Sequence, residues 1–66
     1  MKNKIRIHRL MKNYSQAQLA DLVGVSRQTI NALEAEKYIP STVLSLKISR
    51  VLQQSIELLF ELEDKD

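Results

Sequence analysis

Gly24 is the only glycine in the chain, and it stands inside the run Gln16 to Ala35, QAQLADLVGVSRQTINALEA. A lone glycine between two stretches of helically spaced apolar residues supplies the positive φ that ends one helix sharply and lets another start at an angle to it. Small Ala20 falls where two such helices cross, and Leu19, Val23, Val25, Ile30 and Leu33 furnish apolar packing behind them. Two short helices joined by a tight turn in this way offer the second to a DNA groove. Few other functions need that combination of spacings.

The boundaries around the turn follow from capping chemistry. Ser15 followed three residues later by Gln18 is a capping-box pattern, so a helix is expected from Gln16 to Val23. Ser26 offers its hydroxyl to the free amides of the next helix, which begins at about Arg27. Its end is open, because Ala35-Glu36-Lys37-Tyr38 lacks the Gly or Asn expected just beyond a helix. Upstream, Lys4 to Lys12 reads as a first helix with two candidate core stripes. Ile7, Leu10, Met11 and Tyr14 form one, and Ile5, His8 and Arg9 the other; periodicity does not choose between them. Pro40 and Ser41 announce a fourth helix, whose apolar repeat runs from Val43 to Leu52 and ends by Gln53. Ser55 can cap a short fifth helix, Ile56 to Phe60, followed by an acidic segment, 61–66. The expected fold class is all-α, one domain over residues 1–66.

Composition narrows the functions open to such a domain. At 66 residues a single core is only just sufficient, and with no cysteine neither a disulfide framework nor a thiolate zinc site is available. No apolar stretch approaches the roughly 18 residues of a membrane span, and no apolar signal core follows the basic N-terminus. A soluble cytoplasmic protein with no membrane partner is expected. One histidine, no cysteine and no glycine-rich phosphate loop leave only carboxylates, and five of the eight lie in the tail. No nucleophile and base pair or metal cluster can be assembled from them, so neither catalysis nor a cofactor is expected. The charges divide along the chain: of the ten Lys and Arg residues Lys65 alone lies beyond Gln54, whereas Asp21, Glu34 and Glu36 are the only acids before Ser55. A basic body can dock a polyanion while an acidic tail stays away from it, which fits double-stranded DNA as partner.

At 100° per residue, Ile30 and Leu33 point to one side of the third helix and Gln28, Asn31, Ala32 and Ala35 to the other. Gln28 can pair with adenine in the major groove, Arg27 with guanine or a phosphate, and the methyl groups of Thr29 and Ala32 can touch thymine. Phosphate contacts are expected at the electropositive helix starts near Gln16 and Ser26, and beyond the third helix from Lys37 and from Tyr38, which could equally cover the core edge.

These residues resemble the Xre family of helix-turn-helix regulators, the group containing the lambda repressor and Cro proteins, over about Ile5 to Phe60. The likeness is greatest to the short stand-alone members. It implies a five-helix lambda-repressor-like domain in which Gln16 meets a phosphate at the start of helix two, while Arg27, Gln28 and Thr29 meet DNA from helix three. It also implies a structural ion pair between Arg9 and Glu34. Where the family often has Asn-Gly after this Glu, Ala35-Glu36 stands here, and His8 occupies a place usually held by an aliphatic core residue. His8 is read as a partly buried structural histidine.

A single recognition helix spans too few base pairs for useful specificity, so helix-turn-helix proteins usually pair, with half-sites about 34 Å apart. A homodimer is expected, reading a palindromic operator and acting as a repressor. Ile56, Leu59 and Phe60 are assigned to the core and Leu58 and Leu62 to the partner subunit, and the stretch after Phe60 is expected to pair as a short strand with its symmetry mate. The alternative is an antitoxin-type interaction module that binds a partner protein through its tail while still binding its operator.

Overall fold

Four serines start four of the five helices. Ser15, Ser26, Ser41 and Ser55 are all in extended backbone conformation, and their hydroxyls accept from the N–H groups of Gln18, Thr29, Leu44 and Leu58. Caps of this kind are each worth about 1 kcal/mol. In the computed structural model, which describes residues 1–66, the chain runs β1 (Lys2–Asn3), α1 (Ile5–Met11), α2 (Gln16–Val23), α3 (Arg27–Glu34), α4 (Thr42–Leu52), α5 (Ile56–Leu59) and β2 (Phe60–Glu61). The capping box at α2 is complete, with the Gln18 carboxamide oxygen accepting from the Ser15 N–H at 2.7 Å.

The helix ends share a device that the composition hides. Asn13, Gly24, Glu36 and Gln53 all have positive φ, and the residue after each closes the turn with a bond back five positions: Tyr14 to Arg9, Val25 to Ala20, Lys37 to Ala32 and Gln54 to Ser49. Only one of the four is glycine. Two of the others are held by distant contacts, Glu36 accepting from the Asn3 N–H and Gln53 from the Lys12 ammonium. The open end of the third helix is thus closed by a glutamate.

The core joins Ile5 of α1, Leu19, Ala20 and Val23 of α2, Ile30 and Leu33 of α3, Leu44, Ile48 and Leu52 of α4, and Leu59 of α5. A fully buried Leu or Ile contributes about 1.5–3 kcal/mol. Between the two stripes of α1 the structure selects Ile5 and Arg9 for burial, with His8 half-buried, and leaves Ile7, Leu10 and Met11 more than half exposed. The more polar stripe goes inside because Arg9 finds a buried carboxylate there, Glu34.

The C-terminal segment departs from expectation in three ways. Phe60 is extended, so α5 stops one residue early. The strand that begins there pairs antiparallel with Lys2–Asn3 of the same chain, Lys2 opposite Glu61 and Asn3 opposite Phe60. A two-residue N-terminal strand has no periodicity by which to be foreseen. Finally, the acidic tail does not stand apart: the Met1 ammonium lies 3.1 Å from Glu63 and 3.0 Å from Asp66. No helix is long and apolar enough to cross a membrane.

Candidate nucleic-acid interface

The two sides of α3 are sharply unlike. Ile30 and Leu33 are completely buried against the core, while Arg27, Gln28 and Asn31 are exposed and together line one shallow depression. Thr29 and Ala32 flank them half-buried, and Ser26 and Ala35 lie exposed at the two ends. The Thr29 hydroxyl is 2.9 Å from that of Ser26, which ties it into the helix cap. Beyond the helix Lys37 is exposed, and Tyr38 is 38% exposed, with burial pushing its hydroxyl above the usual tyrosine pKa.

Behind this face lies a buried charge cluster. Arg9 donates from Nε to Glu34 Oε2 at 2.6 Å, from Nη2 to Oε1 at 3.1 Å and from Nη1 to the Tyr14 carbonyl at 2.8 Å. Arg6 adds a contact to Oε1 at 3.3 Å, and Gln16 Nε2 donates to the same oxygen at 3.1 Å. Burial pushes the Glu34 carboxyl up, but the hydrogen bonds from Arg9, Gln16 and Arg6 and the charge of Arg9 outweigh it and leave the pKa below its ordinary value. No buried side-chain polar atom lacks a partner. Such a pair fixes the relation of α1 to α3 more than it adds net stability, because desolvation offsets much of the attraction.

Gln16 stands at the start of α2, as expected. It is half-buried, and its carboxamide nitrogen reaches Asn31 Oδ1 at 3.3 Å as well as Glu34, so both amide hydrogens are directed within the chain rather than outward. Sequence reasoning also passed over two residues. Arg6 lies one turn before Arg9, a spacing that aims two guanidiniums at one acid and that could have been noticed. Asn3, whose side-chain nitrogen donates to the Leu33 carbonyl at 2.8 Å, left no signal at all. At the opposite end of the chain Leu58 is 42% and Leu62 78% exposed, with Ile56 and Phe60 half-buried beside Leu59 in the core.

Five helices with a tight left-handed turn between α2 and α3, and a polar face on α3, are the architecture of a helix-turn-helix domain. The chain belongs to the helix-turn-helix family, whose model matches residues 5–59, and that class is one of DNA-binding regulatory domains rather than enzymes. Among its relatives, the uncharacterized HTH-type transcriptional regulator YgzD of Bacillus subtilis is 42% identical over 66 residues, covering all of both chains. An uncharacterized HTH-type transcriptional regulator of Methanocaldococcus jannaschii is 46% identical, again over the full length of both. In structure the chain is similar to the N-terminal DNA-binding domain of SinR from Bacillus subtilis, with a TM-score of 0.78 and 30% identity, over 91% of this chain and 88% of that one.

Proposed function

We propose that this domain is a transcriptional repressor that binds a palindromic operator as a homodimer, laying α3 in the major groove and blocking polymerase sterically. The observation that carries the reading is the division of α3, with Arg27, Gln28 and Asn31 exposed on one side and Ile30 and Leu33 buried on the other. Gln28 is suited to adenine, Arg27 to guanine or a phosphate, and the methyl groups of Thr29 and Ala32 to thymine. Ser26 with the first amides of α3, and Lys37 and Tyr38 after it, are placed for phosphates. Leu58 and Leu62 supply apolar surface for the second subunit.

The test is selection of bound sequences from random DNA, followed by titration of the selected site. A palindrome should emerge. Gln28→Ala should cost about 1–3 kcal/mol on that site and relax preference at one base pair. Loss confined to nonspecific affinity, or selection of no preferred sequence, overturns the reading.

A further inference from the structure

The buried carboxylate sets the polarity of a hydrogen-bond chain that ends on the exposed face of α3. Glu34 is hydrogen-bonded to two arginines and is ionised, so it only accepts. The Gln16 carboxamide must therefore turn its NH2, not its carbonyl, toward Oε1. The same nitrogen lies 3.3 Å from the Asn31 side chain. Its second hydrogen needs an acceptor there, so Asn31 presents Oδ1 to Gln16 and keeps its NH2 for whatever meets α3 from outside.

An asparagine with both ends free reads adenine, donating to N7 and accepting from N6. Gln16 takes one of the two lone pairs of Oδ1 and holds that oxygen toward α2, so the NH2 is the end of the amide directed outward. Guanine offers two neighbouring acceptors, N7 and O6, in the same groove. We infer that Gln16 is a specificity-determining positioning residue: by holding Asn31 Oδ1 it makes Asn31 a hydrogen-bond donor and selects guanine over adenine at the base pair Asn31 meets. This rests on the proposed entry of α3 into the major groove. It gives Gln16 a role distinct from a phosphate ligand, because a phosphate contact carries no sequence information.

The experiment uses the full chain and the site selected from random DNA. Asn31→Ala identifies the base pair that depends on Asn31. Guanine should be favoured over adenine there by at least about fivefold, and the ratio should fall toward one in Gln16→Met while other positions keep their preferences. In the unaltered chain, replacing that guanine by 7-deazaguanine should weaken binding by a similar factor, which tests the donor contact of Asn31 even if Gln16→Met does not fold. Adenine preference at that position, a guanine preference untouched by Gln16→Met, a uniform loss across all sequences, or indifference to N7 removal each overturns the inference. Base preferences that move with Gln28→Ala but not with Asn31→Ala overturn it alone, whereas no sequence preference at all overturns the proposed function with it.

Discussion

The side-chain nitrogen of Asn3 lies 2.8 Å from the carbonyl oxygen of Leu33, and the backbone N–H of the same residue donates to Glu36 Oε2 at 3.0 Å. The last turn of α3 is therefore held by β1, so the small sheet stabilises the end of α3 as well as the chain termini. Asn3→Ala should cost about 1 kcal/mol, the net worth of one such hydrogen bond. Urea denaturation measures the loss, and amide exchange at Glu36 and Lys37 should quicken more than at Gln28. Unchanged protection at those two amides would show that α3 ends without help.

Arg9 and Glu34 predict an asymmetry between single and double substitutions. Arg9→Ala or Glu34→Ala leaves a buried charge with reduced compensation and should cost about 3–5 kcal/mol, a large part of the stability of so small a domain. Replacing both together, Arg9→Met with Glu34→Leu, removes the desolvation cost along with the attraction and should recover most of the loss. The urea midpoints of the three variants check this. A double variant as unstable as the sum of the singles would refute it.

The acid limb of stability has a definite sign. The folded pKa of Glu34 lies below its ordinary value of 4.5, so the stability it contributes is fully present above that value and lost as pH falls through the folded one. The denaturation midpoint should hold between about pH 7 and 5 and fall below about 4. Glu34→Gln should lower stability near neutrality and flatten that acid limb. Asp66 remains as a smaller contributor of the same sign, its carboxyl lowered by the backbone N–H of Glu63 and by the Met1 ammonium.

Two left-handed residues should respond in opposite directions. Gly24 has a φ of +79°, and a Cβ built there would meet nothing within 4 Å, so Gly24→Ala should destabilise through backbone strain alone, by about 1–2 kcal/mol. Gln53 has a φ of +57° and is exposed, so Gln53→Gly should relieve strain and raise stability by up to about 1 kcal/mol. Urea midpoints for both variants test the pair.

The boundaries of α2 and of the start of α3 were legible because each depends on residues within one turn of each other. Ser15 with Gln18, Ser26 before Arg27 and Gly24 between them act locally whatever the rest of the chain does. The contrast between Gln28 or Asn31 and Ile30 or Leu33 was equally plain, since a helix places them on opposite sides. The end of α3 was not legible, because Glu36 adopts a conformation that glycine usually marks, with its side chain bound to Asn3. Nor were the partners of Gln16, because only the packing of α2 on α3 brings Asn31 and Glu34 to its carboxamide.

Short-range chemistry thus specified five helices, the serine caps that start four of them and a polar face on the third, because capping and periodicity act across three or four neighbouring residues. Which stripe of α1 turned inward, what received β2, and how the Asn31 carboxamide is oriented were settled only once the apolar core had closed. Closure brought Arg9 to Glu34, Lys2 to Glu61 and Gln16 to Asn31. Buried charges and strand edges take whichever partner the packing presents, and that partner is far away along the chain.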